Sequence, residues 1–282
     1  MFKMTIFENS NCKVERYEKY KNVFFDKHKD VVLKKFKKNC YRNFEREIHI
    51  LNILSGSKNI VELYACEINV LYLESMDMNL RDLLNKYKNI NISHCVKIVN
   101  DICNGLIFMK SNNLIHMDIK PENILIKFKG DITTKICDFD KCLSIKEIEN
   151  EEKNDFYVKD IINNLTTTQI SPIERFFDKR LIGFYTDIWG LGCIIYQILL
   201  NKTIFKKSQI VDKMEIQKIF GDYQSYNDEN DKLPHIIDTD KNYELMSIPE
   251  NFYKILKRSF IHNLRNRIKI EEILSLLNQI SF

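Results

Sequence analysis

Residues 114–126, Leu-Ile-His-Met-Asp-Ile-Lys-Pro-Glu-Asn-Ile-Leu-Ile, constrain what this chain can fold into more than any other stretch. An apolar pair leads in, His116, Asp118, Lys120 and Asn123 follow, and an apolar triplet leads out. Such a pattern reads as a short strand that delivers a polar loop and a second strand that takes the chain away. The loop carries an acid that can accept a proton, a cation two residues on and an amide five residues on. Phosphoryl transfer needs those parts: a base for a hydroxyl, a charge for the moving group and a metal ligand.

The chain has 282 residues, ample length for a core in one large domain or two small lobes. Hydrophobic residues at 44% and charged residues at 29% fit an ordinary soluble globular protein. The net charge of +4, from 43 basic and 39 acidic side chains, is too balanced to imply nucleic acid. The basic cluster Lys34 to Lys38 is interrupted by Phe36 and reads better as a strand. Eight cysteines include no C-x-x-C pair, and Cys103 and Cys193 sit inside apolar runs. They read as reduced, mostly buried thiols of an intracellular protein, cytoplasmic or nuclear, and not as a disulfide framework or zinc site. No signal peptide is visible at the N-terminus. The longest apolar run, Ile188 to Leu200, is too short to span a bilayer, so no membrane association is expected.

Along the chain, Thr5–Phe7, Val23–Phe25 and Asp30–Phe36 read as strands. Asn39–Leu54 turns helical, with Phe44, Ile48, Leu51 and Leu54 on one face. Ile60–Cys66 and Val70–Glu74 return to strand. Asn79–Tyr87 reads as a short helix, and Ser93 as the cap of a longer one through Val96, Val99, Cys103, Leu106 and Ile107. Lys135–Cys137 is a further strand. Residues 141–171 are polar and acidic in the middle and are expected to be exposed and mobile. Thr186–Leu200 is apolar nearly all round, as a central helix should be. Residues 221–248 read as a loop, and two helices near 250–261 and 269–279 close the chain.

The stretch 116–123 resembles the protein-kinase catalytic loop H-R-D-x-K-P-E-N, with Met117 at the arginine position. The resemblance runs over nearly the whole chain. Val31-Val32-Leu33-Lys34 looks like V-A-I-K; alternation puts Val32 and Lys34 on one face and Lys35 on the other. Glu47 matches the helix glutamate that pairs with this lysine, with Glu45 as the fallback. Leu71 to Asp77 resembles the hinge between lobes, with Leu73 as gatekeeper and backbone groups from Glu74 to Met76 facing the adenine edge. Asp138-Phe139-Asp140 looks like D-F-G. Thr166 stands where the family has a threonine bridging the base and the loop lysine, and Ser171-Pro172-Ile173-Glu174 resembles A-P-E. Asp187-Ile188-Trp189-Gly190-Leu191-Gly192 matches D-x-W-S-L-G, whose aspartate anchors the catalytic-loop backbone, and Arg267 fits the late arginine that pairs with the A-P-E glutamate.

The resemblance implies an α+β, bilobal protein-kinase-like fold in a single domain over 1–282. A small β-rich N-lobe with one main helix takes residues 1–76, and a larger helical C-lobe takes 77–282. It implies a serine/threonine protein kinase using ATP and magnesium, with a protein substrate and room for a regulatory protein partner. Asp118 would be the catalytic base and Lys120 would stabilise the moving phosphoryl group. Val32, Lys34, Glu47, Glu74 and Met76 would hold the nucleotide, and Asn123 and Asp138 the metal.

Three departures keep a second reading open, a pseudokinase acting as a regulatory or scaffold module. The first glycine is Gly56, so the best placement of the glycine-rich loop, Phe7 to Val14, has no glycines to let backbone amides close on phosphates. Asp140 replaces the D-F-G glycine and adds a negative charge near the metal site. Met117 removes the arginine that pairs with a phosphorylated activation segment, which argues against activation at Thr166, Thr167 or Thr168. Read singly, Lys34 is a solvated strand lysine, Glu47 a helix-surface charge and Asp138 a turn residue. His116 and Trp189 are structural under either account. Order and spacing set the group apart from those single readings.

Overall fold

The computed structural model describes residues 3–20, 29–149, 158–159, 161, 174, 182–204, 248–261, 264 and 266–281. Five antiparallel strands form the N-terminal sheet: β1 (Lys3–Glu8), β2 (Cys12–Tyr20), β3 (Lys29–Phe36), β4 (Leu63–Glu67) and β5 (Val70–Glu74), in the order β1-β2-β3-β5-β4. Strand β3 sits mid-sheet and its period-two alternation sorts its side chains between two faces. Val31 and Leu33 pack with Tyr17 and Tyr72 on the outer face. Phe36, with Val32 partly buried, joins the main core on the face that carries Lys34.

Helix α1 (Tyr41–Ile53) lies between β3 and β4 in the chain, after one 3-10 turn at Lys38–Cys40. Its buried stripe is Phe44, Glu47, Ile50 and Leu51, so a carboxylate rides on an otherwise apolar face. Phe44 meets Phe36 edge-on at 5.7 Å, which fixes the helix against β3. Ile48 is only partly buried, and Leu54 follows the last turn into the core.

After Glu74 the chain leaves the sheet and becomes mainly helical. Strand β6 (Met78–Asn79) leads into α2 (Leu80–Lys86), then α3 (Ile92–Ser111), β7 (Leu114–Ile115), β8 (Ile124–Lys129), β9 (Asp131–Ile136), β10 (Leu143–Ser144) and α4 (Ile145–Glu149). Strands β6, β8 and β9 form one small sheet, β7 and β10 another. Helix Phe184–Leu200 is buried along most of its length. Helices Glu250–Ser259 and Ile270–Leu277 follow it, and Trp189 meets Phe260 edge-to-face at 5.1 Å. The architecture is the expected α+β one, β-rich at the N-terminus and helical beyond. Among the described residues no helix is long and apolar enough to cross a membrane.

Several local expectations need correction. Strand β2 begins at Cys12, inside the stretch read as a glycine-type loop, while the expected strand at Val23–Phe25 lies outside the described residues. Strand β4 starts at Leu63; Ile60 makes only an isolated bridge to Ile136. The cap of α3 is Asn91, not Ser93: Asn91 is extended and its Oδ1 accepts from His94 N at 2.8 Å. Ser93 already lies inside the helix and donates its hydroxyl to that same oxygen. The segment 141–171 is not exposed throughout, since Cys142, Leu143, Val158 and Ile161 are buried. The loop read at 221–248 lies outside the described residues except for Ile248.

Candidate active site

The loop between β7 and β8 is held from below. Asp187, in the first turn of helix Phe184–Leu200, accepts from the amides of His116 (2.8 Å) and Met117 (3.0 Å). Met117 has φ +69°, a left-handed conformation that a side chain disfavours, and these bonds help to hold it there. Gly190 lets the helix touch the loop: a Cβ there would stand 2.7 Å from the Ile119 carbonyl oxygen. His116 is fully buried, faces the Cys137 carbonyl through Nε2 at 3.0 Å and receives the Asp118 amide at Nδ1. That pattern calls for the Nε2–H tautomer. Asn123 donates Nδ2 to the Asp118 carbonyl at 2.9 Å, which leaves its oxygen as the end of the amide that can take a cation.

Asp118 is nearly buried, and its Oδ2 receives two ammonium groups, Lys120 at 2.7 Å and Lys141 at 2.8 Å. Burial alone would raise its pKa, but the two lysines outweigh burial and hold the carboxyl well below the usual range. Asp118 is therefore ionised across the physiological range and able to accept a hydrogen bond from a hydroxyl.

On the opposite side, Lys34 places Nζ 2.5 Å from Glu47 Oε2 and 2.5 Å from Asp138 Oδ1. Glu45, the fallback, is exposed, and Lys35 faces the outer side, bound to Glu15. Burial works against the Lys34 charge, yet Asp138 and Glu47 outweigh it and keep the ammonium charged. One cation cannot satisfy the three carboxylates around it. Asp138 is held below its ordinary value against burial, because Lys34 is in contact. Burial pushes Glu47 up to about 7 and Asp140 upward, with neighbouring carboxylates adding to both shifts. The Lys34–Asp138 contact is ionic at neutral pH, and the Lys34–Glu47 contact becomes fully so above it, since Glu47 takes up a proton before Asp138 on acidification.

Helix α1 is tied to the segment after Asp138 by two further side chains. Asn43 Nδ2 donates to Asp140 Oδ2 at 3.2 Å. Arg46 bonds the Cys142 carbonyl at 2.8 Å and Glu147 at 2.6 Å. Phe139 is fully buried, its ring 5.2 Å from that of His116. Met117, at the arginine position, is buried in an apolar cluster with Ile115, Leu143, Val158, Ile161 and Ile182. That position thus joins the described residues after Asp138 through apolar packing.

The β1–β2 turn closes on itself. Asn9 Oδ1 accepts the amides of Asn11 (2.7 Å) and Cys12 (2.8 Å), and Asn9 N donates to the Cys12 carbonyl at 3.0 Å. This is an Asx turn, which needs no glycine and uses internally amides that a glycine loop would offer to phosphates. In the stretch that resembles a hinge, the Glu74 amide donates to the Glu62 carbonyl and the Glu74 side chain pairs with Lys135 at 2.6 Å. Met76 is buried and its carbonyl accepts from Arg16 of β2. Leu73 is buried as well.

Glu174 and Arg267 form a fully buried two-point ion pair at 2.7 and 3.0 Å, and Arg267 lies over Trp189. Thr166 to Thr168 and Ser171 to Ile173 lie outside the described residues. Sequence reasoning missed Lys141, Asn43, Arg46 and Arg16. Only Lys141 left a signal, as a cation two residues past Phe139.

Among the described residues no group of three or more His, Cys, Asp or Glu is arranged as a metal cage. Magnesium does not require one, because it is commonly bound by one or two protein oxygens together with phosphates. The one-third exposed Asp138 carboxylate and the Asn123 amide oxygen are hard-oxygen donors of that kind. The residues present therefore fit the ion.

Comparison with known proteins points the same way. The serine/threonine-protein kinase KDX1 of Saccharomyces cerevisiae is 30% identical over 196 residues, 66% of this chain and 43% of that protein. The mitogen-activated protein kinase MKC1 of Candida albicans is 29% identical over 188 residues, 62% of this chain and 36% of its own length. The MAP kinase-interacting serine/threonine-protein kinase 1 of Xenopus laevis is 30% identical over 171 residues, 55% and 39% of the two chains. Each match spans less than half of the relative. The profile of the protein kinase domain matches residues 18–276. With that match laid over this geometry, the chain belongs to the protein kinase family.

Proposed function

We propose that the chain is a serine/threonine protein kinase, folded as one kinase domain with lobes meeting near residue 76, that moves the γ-phosphoryl group of ATP to a protein hydroxyl. The observation that carries the reading is the convergence of Lys34, Glu47 and Asp138 on one side and Asp118, Lys120 and Asn123 on the other. ATP supplies the phosphoryl group, and magnesium, held by Asp138 and Asn123, neutralises its charge when bound. Glu47 keeps Lys34 extended, so the ammonium is aimed at the nucleotide phosphates. Val32 covers one side of the base, and the backbone from Glu74 to Met76 reads its edge. Asp118 orients the substrate hydroxyl and takes its proton as the new P–O bond forms and the bond to the β-phosphate breaks. Lys120 offsets charge on the transferring group. The serine/threonine assignment is supported by Lys120, by the Lys120-Pro121-Glu122-Asn123 context and by the names of the relatives.

The test is transfer of labelled γ-phosphate from ATP to a generic basic protein by wild type and Asp118→Asn. Loss of a general base costs about 100- to 10,000-fold, so transfer should all but vanish in the variant. Equal transfer by both proteins would refute the assignment of Asp118.

The second reading, a pseudokinase module, is favoured by the self-closed β1–β2 turn and by Asp140 beside Asp138. Under it, wild type transfers nothing. Magnesium-ATP then either leaves the melting temperature unchanged or raises it without turnover.

A further inference from the structure

We infer that Lys141 is a second phosphate-directed cation of this site, standing beside Lys120 and supplying charge that the β1–β2 turn does not. The inference rests on the nucleotide-binding part of the kinase reading, not on turnover, and adds a residue to the site.

The phosphates of a bound nucleotide need positive partners. The turn amides of Asn11 and Cys12 are bonded to Asn9, and no residue of the turn has the positive φ that builds an anion-binding nest. Lys34 is engaged by two carboxylates at 2.5 Å. What remains is concentrated on the catalytic loop, where Lys120 and Lys141 meet the same oxygen of Asp118. A single carboxylate carries one negative charge, so the trio Asp118, Lys120 and Lys141 carries a surplus positive charge. Both lysine side chains keep a solvent-facing part, 17% and 20% exposed, and so can reach an anion without unpacking.

Lys141 also has the right connections. It lies three residues after Asp138 and reaches across to Asp118, so it joins the segment bearing the candidate metal ligand to the loop bearing the base. It directly follows Asp140, the carboxylate found where the family resemblance expects glycine. Read together, Asp140 and Lys141 add one charge of each sign to the segment after Phe139. The ammonium of Lys141 partly offsets the upward push of burial and Asp138 on the Asp140 carboxyl.

The experiment uses the full chain as wild type, Lys141→Met and Lys141→Arg. Affinities for magnesium-ATP, magnesium-ADP and adenosine are measured by calorimetry, and kcat and KM for ATP by γ-phosphate transfer. The expected result is a fall of about tenfold or more in ATP affinity or kcat/KM for Lys141→Met, recovery in Lys141→Arg, and adenosine affinity unchanged within about twofold. Unchanged ATP affinity and kcat in Lys141→Met would overturn the inference. So would a raised kcat, which would make the contact an inhibitory tie, or a parallel loss of adenosine binding, which would make it structural. The two readings separate cleanly. Turnover by wild type that ignores Lys141 removes this inference and keeps the kinase. An ATP-over-adenosine preference that depends on Lys141, without turnover, removes the kinase and keeps this inference. Absence of any nucleotide binding removes both.

Discussion

The catalytic loop and the β1–β2 turn are built on opposite principles. The first is buried and tied from outside: Asp187 and Gly190 come from a helix some seventy residues away in sequence, and Asn123 and His116 lock it from within. The second is exposed and ties itself, with one asparagine side chain serving two amides. A loop that must hold a proton acceptor in one place draws its bonds from the rest of the molecule. A turn that only has to reverse the chain does not. The chain has the first kind of order around Asp118 and the second kind where the resemblance expects glycines.

The sharpest way to break this contrast is to cut the outside tie. Asp187→Ala leaves the buried amides of His116 and Met117 unpaired at about 1–3 kcal/mol each and releases the left-handed Met117. We expect about 3–5 kcal/mol lost in urea unfolding and transfer reduced at least 100-fold. A loss under 1 kcal/mol would mean that the loop is held by packing alone.

A smaller effect is expected beneath the turn. Glu15 of β2 is buried, and burial opposes its ionisation, yet Lys35, Lys3, Tyr17 and Lys13 outweigh burial and hold the carboxyl well below its ordinary value near 4.5. A depressed carboxyl stabilises the fold above the unfolded value, and that contribution is lost as pH falls below about 4.5 toward the folded one. Its lysine partners are more than one third exposed, so screening keeps the gain to about 1 kcal/mol. Glu15→Gln should therefore lie below wild type at pH 7, with the gap narrowing by pH 3. A gap constant with pH would show that the carboxylate is not held ionised.

The smallest effect is at the tip. Asn9→Ala frees the amides of Asn11 and Cys12 at a cost of about 1 kcal/mol or less to the exposed hairpin. If the turn does not grip phosphates, KM for ATP changes less than about threefold. A tenfold change would place the turn in the phosphate site after all.

Much of the buried half of this contrast is legible in the sequence. The stretch 114–126, the Val32/Lys34 face, the Phe44 and Leu51 positions of the first helix and the apolar helix at 186–200 all express periodicities that local chain geometry imposes, whereas Glu47 takes a buried place on that helix where Ile48 had been read. What escapes sequence reading has other causes. Strand β2 hides because its sheet-covered position at 15 is a carboxylate, satisfied by lysines from β1 and β3 that no alternation pattern reveals. Asn91 and Ser93 are both good caps, and only the start of the helix at Ile92 decides between them. Lys141 meets Asp118 across 23 residues, and Arg46 meets Glu147 across 101. The Lys141 charge is visible beside Phe139, but neither contact has a local signature that names its partner.

The pocket that holds Phe139 has a pharmacological consequence. A compound that binds only once this ring has swung out must re-expose a fully buried phenyl group, at about 1.5–3 kcal/mol, and break the Asn43–Asp140 bond as well. Each 1.4 kcal/mol of that work weakens apparent affinity about tenfold. Inhibitors that settle beside Lys34 with Phe139 left in place carry no such handicap, so a screen of this protein should be enriched in them.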